Sequence, residues 1–298
     1  MRYFDLHCDT LYRASTESKT MDSSELELSF NISKSMFKKW YQCTAIWIPD
    51  ELNDMEAMEF FEKSADKLKA ESKRLSVPIN DINAPCSFIF TVENAKVLSD
   101  DINNIYKLKD KGVRMITLTW NDENNLGGGV LAQETGLKPF GRKCIFELEK
   151  NDIIVDISHA SDKLFYDVAE TAQKPFVASH SNSRSICNNL RNLTDEQFSV
   201  LVKKGGLVGL NFHKNFLSED GDKACIDDVV RHAYHFLSSG GENILAIGSD
   251  FDGADMPADL NSTYKITILA ETFIKRGFNE QIVQKIMFDN AHNFFSKF

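Results

Sequence analysis

Val113–Thr119 reads V-R-M-I-T-L-T, Phe140–Lys150 reads F-G-R-K-C-I-F-E-L-E-K, and Ile153–Ser158 reads I-I-V-D-I-S. The outer runs are short and β-rich, while the middle one carries its apolar residues at helical spacing with charges on the other side. Strand, helix and strand in this order is the mark of a parallel βαβ unit. Working outward, the same alternation recurs. Arg2–Cys8, Gln42–Ile48, Ser87–Val92, Phe176–Ser179, Gly206–Phe212 and Ile244–Ser249 read as further strands, which brings the count to eight. Met55–Leu75, Ala95–Lys111, Lys163–Gln173, Asp195–Lys204 and Asp227–Ser238 read as helices between them. The pattern predicts an α/β fold, a TIM-like (β/α)8 barrel occupying residues 1–298 as one domain, with Lys265–Arg276 and Glu280–Phe295 as C-terminal closing helices.

Local signals agree with these boundaries. Ser161 and Thr194 are expected N-caps, the latter forming a capping box with Gln197, and Gly112 and Gly205 stand where left-handed C-caps fall. Thr10–Trp40 and the Gly-rich stretch Asn121–Pro139 are longer than minimal connections and are expected to cover the active face. The Gly127–Gly129 run lacks the Lys-Ser/Thr of a phosphate loop and reads as loop freedom.

A length of 298 residues with 42% hydrophobic composition supplies a large core. The net charge of -10, from 44 acidic and 34 basic residues without a long Lys/Arg cluster, argues against nucleic acid or an anionic membrane as partner. Metal cations and small substrates fit better. The six cysteines are scattered with no C-x-x-C pair, as expected of reduced, buried thiols. Asp5, His7 and Asp9 follow Met1 too closely for a secretory signal, and no apolar run reaches about 18 residues. A soluble, cytoplasmic protein is expected, with a homodimer as an open option.

Catalytic groups of such a barrel come from the C-terminal ends of its strands. His7 and Asp9 end the first strand, and their i, i+2 spacing puts both on one face with Cys8 on the other. Glu93 ends the third strand, His159 the fifth, His180 the sixth and Asp250 the eighth. Any one of them reads as easily as a hydrogen-bonded structural residue. Three of the seven histidines and three carboxylates gathered at one topological end read as a metal site. Imidazole and carboxylate without thiolate suit zinc, and manganese, iron or cobalt accept the same donors. The expected arrangement has Glu93 bridging two ions about 3.5–4 Å apart, with His7 and Asp9 on one and His159 and His180 on the other. A hydroxide shared by the two ions would attack an amide carbonyl, and Asp250 would pass its proton to the leaving amine.

The blocks D-L-H-C-D, V-E-N, I-T-L-T-W-N, V-D-I-S-H-A-S, A-S-H-S-N-S-R, G-L-V-G-L-N-F and I-G-S-D-F-D-G occur in order along nearly the whole chain. Together they resemble the membrane (renal) dipeptidase family of zinc peptidases. The resemblance implies a barrel with a binuclear zinc centre, hydrolysis of dipeptides, metal ligands at His7, Asp9, Glu93, His159 and His180, and a catalytic acid at Asp250. It also implies that Arg191, in N-N-L-R-N, holds the free carboxylate of the substrate, a task suited to a bidentate guanidinium. Arg184 is the rival for that task.

There are departures. Where the family's animal members have a substrate-contacting histidine, this chain has Trp120, which offers an indole N–H and an apolar face but no proton transfer. Oxyanion support would then fall to metal, to Asn121 or to water. The animal members' signal peptide and lipid anchor are not seen. His213 is a further candidate for substrate contact. His232 and His235, at i, i+3, could share a helix face but read as structural, as does His292. In the Asp250 and Asp252 pair, the second reads as a turn residue. The sequence thus predicts a metallodipeptidase, with two alternatives: a binuclear amidohydrolase acting on another amide, lactam or ester, and a silent binding protein.

Overall fold

The computed structural model describes residues 1–298. Eight strands, β1 (Arg2–Asp5), β2 (Lys39–Trp47), β3 (Cys86–Glu93), β4 (Met115–Thr117), β5 (Ile154–Asp156), β6 (Val177–Ala178), β7 (Leu207–Leu210) and β8 (Leu245–Ile247), pair in sequence order into a closed barrel. Every pairing is parallel, and β1 closes on β8 through Asp5 and Ile247. All eight expected strands are present, most of them shorter at one end or both.

The barrel interior is filled near its N-terminal end by one apolar side chain from each of several strands, among them Phe4, Ile89, Met115, Ile154, Val177 and Leu207. Phe288, Phe294 and Phe295 of the C-terminal segment pack into the same cluster and close that end. A larger core lies between the strands and the surrounding helices. With one mouth plugged by aromatic rings, polar chemistry is left to the other. Strand alternation delivers it: on β3, Ile89 belongs to the apolar plug, and Glu93, two pleats further along the same face, stands at the C-terminal mouth.

The capping signals hold. Ser161 accepts from Leu164 N, Thr194 and Gln197 form the capping box, and Gly112 and Gly205 end their helices in the left-handed region. Two expected helices are broken. Ala95–Lys111 divides into a 3-10 turn, Ala95–Leu98, and a helix, Asn103–Lys111, with Ser99 at φ 50 between them. Glu280–Phe295 carries a π turn, Lys285–Asp289, which sends Ile286, Met287 and Phe288 together into the core. The glycine run is not free: a Cβ on Gly128 would lie 2.4 Å from Thr135 O, and one on Gly129 2.1 Å from Trp120 O. These glycines let the loop pack on itself. No helix is long and apolar enough to cross a membrane.

Candidate metal centre and active site

The chain bends at Leu6, just past β1, and brings His7 and Asp9 to the mouth, while Cys8 turns away into the outer core. Glu93 is the last residue of β3, and His159, His180 and Asp250 follow β5, β6 and β8 within three residues. His159 and Asp250 hold φ values of 69 and 65, a region that costs a residue with a Cβ about 1–3 kcal/mol. Backbone hydrogen bonds hold them there, Asp250 N donating to His7 O at 3.2 Å and Ala160 N to Ile157 O at 2.9 Å. Two of the six polar residues at the mouth thus carry backbone strain that does not serve stability.

The six side chains converge. His7 Nε2 lies 3.4 Å from Asp9 Oδ2, 3.6 Å from Glu93 Oε2 and 3.7 Å from Asp250 Oδ1. On the other side of the same carboxylate, Glu93 Oε1 lies 2.8 Å from His159 Nε2 and 3.8 Å from His180 Nε2, and these two nitrogens are 3.0 Å apart. Glu93 therefore presents one oxygen to each half of the cluster. Two compact donor groups result, His7 with Glu93 and His180, and His7 with Asp9 and Asp250.

The surrounding hydrogen bonds decide which ring nitrogens carry protons. Ser179 Oγ lies 2.6 Å from Asp156 Oδ2, to which it must donate, so His180 Nδ1, 2.7 Å from the same hydroxyl, is the donor of that pair. His159 Nδ1 donates to Asn121 Oδ1 at 2.8 Å. Both Nε2 atoms are then bare acceptors facing each other and a carboxylate oxygen, an arrangement that repels itself unless a cation sits among the lone pairs. Asp9 Oδ1 is likewise buried with no partner. The donor set fits divalent cations, and no thiolate takes part. Asp156 underpins the site, accepting also from Thr117 Oγ1, Ser158 N and Ser179 N. Asp5 does the same beneath His7, accepting from Tyr3, His7 N and Ser249 N.

Burial drives the electrostatics. It pulls the His7 imidazole down, but Glu93, Asp9 and Asp250 outweigh it and push the ring up to about 10. Burial and the neighbouring carboxylate of Asp9 push Glu93 well above the usual range, and burial raises Asp250 to about 6. His159 and His180 are pushed well down by burial and by the positive charge of Arg191 and His7. Three crowded carboxylates beside two neutral imidazoles call for added positive charge.

Above the cluster opens a cavity of about 280 Å³. Arg191 enters it from the loop after β6. Its guanidinium is buried, lies 5.3 Å over the Phe216 ring, and leaves Nε and Nη2 without any partner. Burial pushes it down to about 10. Arg184 is spent elsewhere, bonded to both Asp162 oxygens at 2.7 and 2.8 Å. Trp120, Asn121 and His213 all line the cavity, Asn121 also orienting His159, and His213 Nδ1 resting 3.1 Å from Asp255 O.

The sequence reading missed Tyr12, Arg13, Trp47 and Phe216, which line the cavity as well. Trp47 was within reach of the strand-end test, since it closes β2. The three remaining histidines lie apart from the cavity, which Asp252 does line. His232 accepts from Ser183 N and donates to Leu217 O, His235 pairs with Asp195, and His292 stacks on Tyr41 and Phe288. Asp252 anchors the segment after β1, bonding Thr10, Arg13 and Glu27 N.

The sequence profile of the membrane dipeptidase family, peptidase family M19, matches residues 1–297. An uncharacterized protein in the pqqA 5' region of Klebsiella pneumoniae is 34% identical over 189 residues, covering 60% of this chain and 70% of that protein. An uncharacterized dipeptidase, C965.12, of Schizosaccharomyces pombe is 35% identical over 182 residues, 57% of this chain and 43% of its own length. Among solved structures, a metallo peptidase from Rhodobacter sphaeroides, liganded with a phosphinate mimic of the dipeptide L-Ala-D-Ala, superposes with a TM-score of 0.91 at 23% identity over 99% of both chains. The metallo peptidase dipeptidase AC, of family M19, gives 0.90 at 24% identity, covering 99% of this chain and 98% of that one. At these identities the two structures show a shared fold.

Proposed function

Since the chain belongs to the membrane dipeptidase family, peptidase family M19, we propose that it is a metal-dependent dipeptidase working with two zinc ions. His7 and Asp9 would hold one ion, His159 and His180 the other, and Glu93 both. Ions bound there supply Lewis-acid polarisation of a carbonyl and acidification of water, which removes the need for a protein nucleophile. Manganese, iron or cobalt would find the same donors acceptable.

One observation carries the substrate class. A buried guanidinium with two unpartnered nitrogens beside the donor cluster is costly unless an anion meets it. A terminal carboxylate satisfies it bidentately, and because Arg191 lines the same cavity as Glu93, His159 and Asp250, that carboxylate and the scissile bond share one small space, which favours a dipeptide. Asp250 moves the proton. Its Oδ2 accepts from Asn211 Nδ2 at 3.0 Å, which leaves Oδ1, facing His7, to take a proton from the attacking water and give it to the leaving amine. Trp120 cannot share that task.

The test is a substrate panel assayed with zinc- or manganese-loaded protein: L-Ala-L-Ala, L-Ala-D-Ala, their C-terminal amides, a tripeptide, a lactam and an ester. Dipeptides with a free carboxylate are expected to be hydrolysed, the amides about 100-fold less well. Arg191→Met should erase that difference. Amides or lactams turned over as well as free dipeptides would overturn the reading, as would full activity after rigorous chelation.

A further inference from the structure

The cavity has a second wall, and the chemistry proposed for the cluster does not use it. Tyr12, Trp47 and Trp120 line it, all half-buried. Tyr12 meets Trp47 edge to face at 4.7 Å and 75°, and Trp47 meets Trp120 edge to face at 4.9 Å and 61°. Trp120 in turn lies 6.2 Å from the His159 ring. The wall therefore begins at the donor cluster and runs outward as a continuous aromatic surface.

Its position follows from the barrel. Trp47 ends β2, Arg191 follows β6, and in a closed ring of eight strands β2 and β6 stand opposite one another. Glu93 ends β3 and His159 follows β5, between them. A dipeptide whose carboxylate sits on Arg191 and whose carbonyl lies over the cluster must carry its amino-side residue toward β2. That residue meets the aromatic wall.

The wall itself carries no charge, although the carboxylates of Asp9 and Glu51 act on Tyr12 from nearby. Arg13, beside it, is bonded to Asp252 Oδ1 at 3.1 Å and Glu17 Oε1 at 2.9 Å. Asp252 is saturated by Thr10, Arg13 and Glu27 N. A charged side chain set among the three rings would lose water without gaining a partner from them. A methyl group would leave ring surface wet. A flat ring would continue the edge-to-face series already present between the three side chains.

We infer that Tyr12, Trp47 and Trp120 form the specificity site for the residue on the amino side of the scissile bond, and that the site selects an aromatic side chain. The inference rests on the dipeptidase reading. Trp47 and Trp120 act by contact with the substrate side chain, and neither touches the reacting atoms.

The experiment compares kcat/KM for L-Phe-L-Ala, L-Ala-L-Ala, L-Lys-L-Ala and L-Asp-L-Ala. Phe-Ala is expected to exceed Ala-Ala about tenfold, with the charged pair below both. Trp47→Leu should bring the Phe-Ala to Ala-Ala ratio close to about one, since it keeps apolar bulk and removes the ring. A second readout is independent of turnover. Two of the three tryptophans stand on this wall, and the third, Trp40, is fully buried, so L-phenylalaninol should change indole emission where L-alaninol does not. That measurement on the wild-type protein stands even if Trp47→Leu does not fold. Ala-Ala hydrolysed with no aromatic advantage overturns the specificity site alone, and so does a preference for Lys-Ala. No dipeptide hydrolysed overturns the dipeptidase reading and this inference with it.

Discussion

The floor of the cavity and its rim are built by different means. On the floor, donors stand on or just past strand ends, and the buried carboxylates of Asp5 and Asp156 tie adjacent strands together beneath them. On the rim, Arg191, Trp120 and His213 hang on loops, and Arg191 is held by its backbone and by one aromatic face. The floor spends hydrogen bonds on fixing donor positions, whereas the rim keeps donors and ring faces uncommitted. A rigid floor with an adaptable rim is how one barrel retains a chemistry while its substrates vary.

The largest effect should come from the centre of the floor. Glu93 presents one oxygen to His7 and the other to His159 and His180, so Glu93→Gln removes a charge and one acceptor oxygen with little change of shape. Turnover should fall on the order of 10³-fold or more, and bound metal, measured by elemental analysis, should drop below about two equivalents. Two equivalents retained with activity intact would show that the floor does not depend on this carboxylate.

A smaller loss tests whether the floor is as tightly packed as its hydrogen bonds suggest. A Cβ on Gly248 would lie 1.8 Å from Ser179 O and 3.2 Å from His180 Cα, and Gly209 meets the same carbonyl at 1.9 Å. Gly248→Ala must therefore displace the segment carrying His180. A shift on the order of 1 Å costs about 100-fold in rate. Gly205→Ala, at a helix end with nothing near its Cβ, is the control: it should lower the melting temperature and leave turnover comparatively untouched. If the two variants behave alike, packing beneath His180 does not govern the site.

The same contrast explains what was legible in the sequence. Strand period and strand end are local properties, so His7, Asp9, Glu93, His159, His180 and Asp250 could be placed at one mouth from their positions alone. The close approach of Gly209 and Gly248 to Ser179 joins three strands, and no local pattern records it. Trp47 and Tyr12 carry the composition of core residues, so they were passed over although Trp47 ends a strand. The breaks at Ser99 and at Lys285–Asp289 have no proline or glycine to announce them; tertiary packing sets both. Arg191 could be singled out from Arg184 only by resemblance, because both follow His180, and it took the Asp162 pair to remove Arg184.

Asn121 stands where floor and rim meet: its loop belongs to the rim, and its side chain orients His159. Asn121→Ala should weaken metal binding about tenfold, toward the lower end for a residue that supports a ligand, since water can reach this partly open position. Metal competition with a chelating dye measures it. A change in dipeptide selectivity with unaltered metal affinity would instead assign Asn121 to the rim.

The smallest effect concerns how the rim is pinned. His232, deep in its helix, accepts Ser183 N–H through Nδ1 and donates Nε2–H to Leu217 O, thereby fastening the loop that leads to Arg191. Burial pushes its pKa down from 6.5 to about 4, and a proton on Nδ1 would also remove the acceptor that Ser183 N–H uses. The unfolded chain takes up that proton near 6.5 and the folded chain does not, so this contribution is fully present above 6.5 and is lost as pH falls from there toward 4. Between pH 7.5 and 5.5 the loss is about 1 kcal/mol. His232→Gln supplies an acceptor and a donor without a titrating group. The stability difference between wild type and this variant, from urea unfolding at the two pH values, should therefore shift toward the variant on acidification. Taking the difference cancels the cluster's own titration, which both proteins share. A difference that does not move with pH would mean that His232 takes up its proton in the fold as readily as in the unfolded chain, and that the loop carrying Arg191 is held by Asn182 and Asn192 through their bonds to Asn211 O and Phe216 O instead.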